Sequence, residues 1–469
     1  MQKVFRHCGS MDKRCYEKYH LSEDILMEHA ALGMERIIRE KFIVGSSVLI
    51  VSGKGNNGAD GIALTRLLCG DYAVRLHIPF EVKSEMAQIQ LVRTLALGAE
   101  TTQNLYDADV IVDAILGSGV EGELGSEILE LIEQLNALNG YKIACDIPTG
   151  ISIDGQILTN AFVADMTVTM GAYKEALFLD AAKDFVGKIV RVDLGLPASL
   201  YEDESDTLLL EKNDLSLPLR TKLSTHKGSF GHAAIFCGEK EGASVIAGEA
   251  ALRFGAGLVT LVMQQKYFIP PYLMHSSTLP VNSTAIALGM GLGHDFEESF
   301  LDKHVLANSL PLVLDADALH SPKLLSLLKQ NDRSIVVTPH PREFVVMWKI
   351  LTGEETTVSN LQSYRFEYAK RFSYLYPNTV LLLKGANTII AHKGYVYINP
   401  LGCSNLSKGG SGDVLSGLIV ALLAQGYDAL YSAIQGSLSL TLASQKYDGA
   451  NYAMISMDLI NNLAYLENL

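Results

Sequence analysis

Paired cysteines are missing from this sequence. Its six cysteines, Cys8, Cys15, Cys69, Cys145, Cys237 and Cys403, are scattered through 469 residues, and none forms a Cys-x-x-Cys pair. That pattern argues against a zinc cluster and against the disulfide framework that staples small secreted domains. Positive charge is also short: 38 Lys and Arg stand against 52 Asp and Glu, a net charge of −14. Broad nucleic-acid binding needs basic patches that displace phosphate counterions, so no nucleic-acid partner is expected beyond a local basic site. Long apolar runs are lacking too. The longest lies near residues 414–424, short of the about 20 residues of a membrane span. The N-terminus shows no apolar core of a secretory signal. There is no short-period repeat and no low-complexity tract. The expectation is a soluble, cytoplasmic protein with no membrane partner.

What is present points to packed domains. Hydrophobic residues make up 48% and charged residues 19%, which excludes general disorder. At about 100–200 residues per domain the length suggests roughly two to four domains. Short apolar runs at 48–51, 110–112, 142–145, 166–169 and 189–192 read as strands. The first leads through a Gly-rich loop into a helical pattern marked by the i,i+4 pairs Ala63/Leu67 and Leu64/Leu68. Strand, loop and helix in repetition imply a parallel or mostly parallel sheet covered by helices. Chemistry then belongs beyond the C-terminal strand ends. The acidic run 201–206, after Gly195-Leu-Pro197, is the best linker candidate. A second series of strands follows at 233–236, 257–262, 311–314, 334–337 and 380–383. The fold expected is α/β throughout, with two catalytic-sized domains at 1–205 and 212–469.

Three polar loops stand at strand ends in the first half. Gly53-Lys-Gly-Asn-Asn-Gly-Ala-Asp-Gly61 follows a buried-type strand and opens a helix. Glycines let a ligand approach the backbone, and a helix N-terminus favours phosphate. The pair Asn56 and Asn57 with Asp60 makes this turn more polar than a plain tight turn. Asp113 leads into Gly117-Ser-Gly119, and Asp146 leads into Ile147-Pro-Thr-Gly150. Either aspartate alone is compatible with a turn cap. Together the loops offer oxygen groups for a hard cation and a carboxylate for acid/base work.

Gly55-Asn-Asn-Gly-Ala-Asp-Gly61, Asp113-Ala-Ile-Leu-Gly117, Asp146-Ile-Pro-Thr-Gly150 and Leu26-Met-Glu28 resemble the YjeF N-terminal domain. The resemblance implies a Rossmann-like three-layer α/β/α domain that epimerises hydrated nicotinamide cofactors, NAD(P)HX. By that likeness Asn56, Asn57 and Asp60 would bind substrate, and Asn57, Asp113 and Thr149 would hold a potassium ion (K+). Gly117, Ser118, Gly119, Val120, Glu121, Gly122 and Glu123 would contact substrate phosphate or ribose. Asp146 would bind the hydrated ring and act as the acid/base residue. Ala59 stands where the family has Gly, and His29 where it often has Asn.

Lys408-Gly-Gly-Ser-Gly-Asp413 is the strongest motif of the second half. Val414, Leu415, Leu418, Ile419 and Leu422 follow it with helical spacing. Glycines at that helix start would expose N–H groups to anionic oxygen and to charge developing in phosphoryl transfer. Asp413 is placed to take the proton of an attacking hydroxyl. A capped helix is the plain alternative. Lys384-Gly-Ala-Asn-Thr388 supplies a cation, N–H donors and a hydroxyl at another strand end. In Thr338-Pro-His-Pro-Arg-Glu-Phe344, His340 would orient substrate and Glu343 would assist a metal or water. Asp315-Ala-Asp317 ends a further strand. Ala247, Ala250, Ala251 and Phe254 read as core packing.

With His226-Lys-Gly228, Gly255-Ala-Gly-Leu-Val-Thr260 and Gly289-Met-Gly-Leu-Gly293, these segments resemble, in order, the C-terminal dehydratase domain of the YjeF family. Arg342 stands where Gly is common. The resemblance implies a ribokinase-like fold that removes the added water from (6S)-NAD(P)HX with ADP, or with ATP in eukaryotic relatives, and Mg2+. Lys384, Gly385, Ala386, Asn387 and Thr388 would bind the nucleotide with Gly409, Gly410, Ser411 and Gly412. Gly257, Gly291 and His340 would bind the hydrated cofactor, and Asp413 would bind it and act as base. Together the likenesses imply a bifunctional repair enzyme for NADHX and NADPHX, and a homo-oligomer. The rival readings are a ribokinase-like small-molecule kinase with a non-catalytic N-terminal binding domain, and an N-terminal module that only binds or dimerises.

Overall fold

The computed structural model describes residues 1–117, 119, 122–264, 268–293, 298–330 and 332–468. The chain divides into two compact units, Gln2–Ser205 and Asp206–Leu469, with Met1 grouped with the second.

The strands of the first unit are β1 (Gln2–Phe5), β2 (Ser47–Ser52), β3 (Ala73–His77), β4 (Glu100–Thr102), β5 (Val110–Ala114), β6 (Tyr141–Cys145), β7 (Met166–Met170), β8 (Tyr173–Lys174) and β9 (Lys188–Val192). A parallel sheet runs β4-β3-β2-β5-β6-β7-β9. β1 pairs in parallel with β8. The central strands are apolar on both faces, and the two-residue period separates those faces. Val48, Ile50, Val110 and Val112 pack with Met34, Ile38, Ile62 and Ala63, while Leu49, Val51 and Ile111 pack with Leu131, Leu135 and Phe162. Two cores on opposite faces make three layers. Strand order reverses between β2 and β5, which opens a crevice at their C-terminal ends.

The second unit contains β10 (Thr207–Leu209), β11 (His232–Phe236), β12 (Leu258–Val262), β13 (Met274–Ser276), β14 (Ala285–Leu288), β15 (Leu312–Leu314), β16 (Ile335–Val337), β17 (Thr379–Leu383), β18 (Thr388–His392) and β19 (Tyr395–Asn399). Its sheet runs β13-β12-β11-β14-β15-β16-β17-β18-β19-β10. It is parallel as far as β17, after which β17/β18 and β18/β19 are antiparallel. Order again reverses, here between β11 and β14. The helix Ser411–Ala424 is buried almost all round, not along a single stripe. It packs against the helices Glu241–Arg253 and Ala429–Gln445 and the strand residues Ala233, Ile235, Val313 and Val336. An all-round apolar helix belongs inside a core. Its N-terminus is thereby held at the strand ends, where the polar motifs are.

Each strand expected from an apolar run is present. The runs did not signal β3, β4 or β14, nor the hairpin β18/β19.

Candidate active sites

In the first unit the helix Asn56–Leu68 starts directly beyond β2. Its N-cap, Gly55, offers no side-chain cap, so the first N–H groups remain available at the crevice. Asn56 donates its amide to Glu23. Ala59 lies inside the helix, fully buried and outside the positive-φ positions, so its methyl group is accommodated. His29 packs its ring against the backbone of Gly195, a structural contact.

Asp113, on β5, is buried. Its Oδ1 accepts from the Thr149 hydroxyl (2.7 Å) and the Ile115 N–H (3.1 Å), and its Oδ2 accepts from the Thr149 N–H (2.8 Å). Burial pushes its carboxyl up to about 6, against the pull of those hydrogen bonds. Both polar atoms of the Asn57 amide are buried without a partner among the described residues, beside Gly117. An orphaned amide oxygen, a buried carboxylate and a hydroxyl are a donor set that suits a hard cation.

Asp146 follows β6 with φ 67, in the left-handed region that a non-glycine residue seldom occupies. Its Oδ1 takes three hydrogen bonds, from the Lys174 ammonium (2.6 Å), the Met170 N–H (3.1 Å) and the Thr169 hydroxyl (3.4 Å). Lys174 is itself buried and also reaches Thr169 Oγ1 and the Met170 carbonyl. Burial works against its charge. Asp146, Cys8 and Asp12 outweigh that and hold its pKa above the ordinary value.

A cavity of about 710 Å3 collects these groups: Asn56, Asn57, Asp60, Gly117, Gly119, Asp146 and Lys174 all line it. So do Cys8, Asp12, Tyr16 and Tyr201. The Tyr201 hydroxyl donates to Asp12 at 2.8 Å. Asp60 has no hydrogen bond among the described residues, and its pKa is pushed well above the usual carboxylate range by burial and then by the nearby Asp146 charge. One carboxylate tied to a cation and one uncompensated carboxyl in the same cavity make the environment difference that separates a base from an acid. Gly122 and Glu123 are exposed. Ser118, Val120 and Glu121 lie outside the described residues.

In the second unit five strand ends converge. Asp315, after β15, accepts from the Lys384 ammonium (2.7 Å) through Oδ1 and from the Ser416 hydroxyl (2.8 Å) through Oδ2. Lys384 sits in the β17/β18 hairpin turn with Gly385, Ala386 and the buried Asn387, and Thr388 opens β18. The Lys384 N–H donates to the Pro339 carbonyl (2.9 Å), which ties this turn to the His340 loop. His340 caps the helix Pro341–Thr352: its Nδ1 accepts from the Arg342 and Glu343 N–H groups, and Nε2 stands 3.2 Å from Glu343 Oε1. Gly291 abuts the turn after β11, where the Lys240 N–H donates to its carbonyl (3.0 Å).

The Lys408–Asp413 motif completes the cluster. Gly410 caps the helix Ser411–Ala424 with φ 95, a conformation that favours glycine. Ser411 donates its hydroxyl back to the Lys408 carbonyl (3.0 Å). A Cβ built on Gly412 would lie 3.5 Å from the Lys384 ammonium. Asp413, one residue on, is pushed up to about 7 by burial, then by the Asp315 charge, with Lys384 pulling the other way. Gly409 is exposed.

Gly257 is not brought to this cluster. It precedes β12, so it lies at the opposite end of a five-residue strand, roughly 16 Å away. A Cβ there would stand 1.8 Å from the Lys227 carbonyl, so close packing accounts for this glycine.

Lys174 and the wall formed by Cys8, Asp12 and Tyr16 were not foreseen from sequence. A polar residue shortly after the strand 166–169 was the available signal for Lys174.

Two reversals of strand order, each with titratable groups at the strand ends, define a two-site α/β enzyme that handles nucleotides. Residues 23–176 match the family described as YjeF-related protein N-terminus, and residues 233–464 match the NAD(P)H-hydrate dehydratase family. The bifunctional NAD(P)H-hydrate repair enzyme Nnr of Helicobacter pylori is 40% identical over 99% of this chain and 100% of its own length. The enzyme of that name from Escherichia coli is 30% identical over 94% of this chain and 89% of its own. A Bacillus subtilis crystal structure, described as an ADP/ATP-dependent NAD(P)H-hydrate dehydratase with ATP/Mg2+, is 27% identical. It covers 54% of this chain and 94% of that chain, with a TM-score of 0.46. The chain belongs to the family of bifunctional NAD(P)H-hydrate repair enzymes. With the sheets described above, the two matches bear out the expected pairing of a Rossmann-like and a ribokinase-like α/β domain.

Proposed function

We propose that this chain repairs hydrated nicotinamide cofactors in two steps, with residues 1–205 epimerising NADHX and NADPHX and residues 212–469 dehydrating the S epimer. The carrying observation is the pair of strand-end clusters, Asp146 with Lys174 in one unit and Asp413 with Lys384 and Asp315 in the other.

In the first unit Asn56 and the helix start beside it bind the cofactor phosphates, and Gly117–Glu123 reaches phosphate or ribose. Asp146 binds the hydrated ring and moves a proton at its hydroxyl. Asp60 faces the same ring. Asn57, Asp113 and Thr149 would hold a potassium ion, which would supply positive charge beside Asp113. The orphaned Asn57 amide supports that site.

In the second unit the substrate hydroxyl attacks the terminal phosphate of ADP, or of ATP, while Asp413 accepts its proton. The N–H groups at the start of the Ser411–Ala424 helix and Lys384 meet the charge that develops. Ala386, Asn387, Thr388 and Gly412 bind the AMP portion, and Gly291 and His340 bind the hydrated cofactor. Phosphate then leaves in place of hydroxide and the adjacent ring carbon gives up a proton to solvent, which restores the ring double bond of the dihydronicotinamide, with AMP as the second product from ADP. Mg2+ supplies charge neutralisation on the nucleotide phosphates when bound. A base poised near neutrality suits proton transfer at physiological pH.

A cytoplasmic homo-oligomer without nucleic-acid or membrane partners completes the reading. The net charge of −14 speaks against a nucleic-acid partner, and no helix among the described residues is long and apolar enough to cross a membrane. The test follows NADH formation from mixed-epimer NADHX with ADP or ATP. Asp413→Asn abolishes the signal. Asp146→Asn limits it to the S epimer plus spontaneous epimerisation.

A further inference from the structure

We propose that Lys174 is the positioning residue of the epimerase site: its buried ammonium grips one oxygen of Asp146 and leaves the other free to meet the hydrated ring. This deepens the epimerase reading and rests on it. Three observations carry the proposal.

The first is geometry. All the hydrogen bonds to Asp146 converge on Oδ1, from Lys174, Met170 and Thr169. Among the described residues Oδ2 has no partner, while Asp146 lines the cavity of about 710 Å3. A carboxylate held by one edge is oriented by the other.

The second is the anchoring of the lysine. Its Nζ makes three hydrogen bonds, to Asp146 Oδ1 (2.6 Å), Thr169 Oγ1 (3.0 Å) and the Met170 carbonyl (3.1 Å). The ammonium thus has its three protons satisfied and its position fixed. The side chains of Lys174 and Asp146 are only 6% and 12% exposed. Losing one member of such a pair leaves the other uncompensated.

The third is the surrounding charge. Asp12 faces the pair from the helix Gly9–Lys18, with Cys8 at its start and Tyr201 bonded to it. Asp60 faces it from the helix Asn56–Leu68, and Glu23 and Asp60 face each other. Cys145 is the neighbour of Asp146 on β6. These groups are acidic or neutral; Arg6, His7 and Lys54 also line the cavity, and Lys174 is the cation that bonds to Asp146. Without it, the Asp146 carboxylate would face further carboxyls with no cation bonded to it.

The experiment uses full-length protein with Lys174→Met, Lys174→Arg, Asp146→Asn and the Lys174→Met/Asp146→Asn double variant. Interconversion of purified (6R)- and (6S)-NADHX is followed without nucleotide, so the dehydratase is silent. Lys174→Met is expected to lower kcat by about a hundredfold or more while KM changes by less than about threefold. The acid limb of its kcat/KM profile moves up by about one to three pH units. Lys174→Arg restores much of the rate, because the charge returns. In the double variant Lys174→Met adds no further loss to that of Asp146→Asn, since its effect runs through Asp146.

Lys174→Met with kcat near that of the unsubstituted protein overturns the proposal. So does an equal loss on both backgrounds, or an unshifted acid limb in a variant with residual activity. Should the unsubstituted protein interconvert no epimers, the epimerase reading falls first and this proposal falls with it. Active unsubstituted protein with an equally active Lys174→Met variant sinks the Lys174 proposal alone.

Discussion

Replacing Asp413 by asparagine is expected to end dehydration and, at the same time, to make the second unit harder to unfold. Asp413 is pushed from an ordinary 3.8 up to about 7, first by burial, then by the Asp315 charge, with Lys384 offsetting part of it. Folding therefore favours the protonated form. Below the unfolded value the ionised carboxyl costs nothing, and above about 7 the cost is present in full. The interval is about 3 units, so at about 1.4 kcal/mol per unit the cost is on the order of 4 kcal/mol. Asparagine has nearly the same shape and no charge, so Asp413→Asn recovers that amount at about pH 8 and less than about half of it at about pH 5. Trp348 makes the measurement selective. It is the only tryptophan in the chain, and it is buried in the helix Pro341–Thr352 of the second unit, stacked on Phe344. Urea unfolding followed by its fluorescence, at both pH values, reads that unit alone. A variant no more stable than the parent at the higher pH, or a gain independent of pH, would refute the reasoning.

Two further outcomes follow from the same structure. Asp315→Asn removes the like charge that raises Asp413 and frees Lys384 from its ion pair, so the acid limb of dehydratase kcat/KM moves to lower pH. Lys384→Met moves it to higher pH, and shifts of the same sign in a pH-rate series would contradict the cluster's electrostatics. Asn57→Ala removes no hydrogen bond to the described residues, where the amide has no partner, so its melting temperature in potassium-free buffer matches the parent's. Potassium chloride, compared with lithium chloride at equal ionic strength, raises the melting temperature of the parent and not of the variant, and an equal response in both would remove Asn57 from the ion site.

The parts of this fold that were legible in sequence share one physical cause. Strands buried on both faces, such as β2, β5 and β17, are written as short apolar runs, and the residue after each run marks a strand end. Asp113, Asp146, Asp315 and Lys384 stood out for that reason, and Asp413 through the glycines that precede it at a helix start. β3 escaped because the exposed Ala73 and Arg75 break its apolar run. β4 is a three-residue strand, too short to carry a period. The β18/β19 hairpin had a local signal in Lys393-Gly394, both at positive φ, as a tight turn between twisted strands requires.

The cavity walls were less legible. Cys8, Asp12 and Tyr16 reach the cavity from a helix far from Asp146 in sequence, and no local pattern encodes such an approach. Gly257, read from its motif as binding ligand, also has its backbone pressed against the Lys227 carbonyl.

The most direct test of the whole account is NADH absorbance grown from NADHX of known epimer composition, with ADP and ATP supplied separately. The account predicts full conversion with at least one nucleotide, a plateau at the S-epimer share plus the slow spontaneous contribution in Asp146→Asn, and no signal in Asp413→Asn. No NADH with either nucleotide, or the same full and fast conversion in Asp146→Asn, would contradict it.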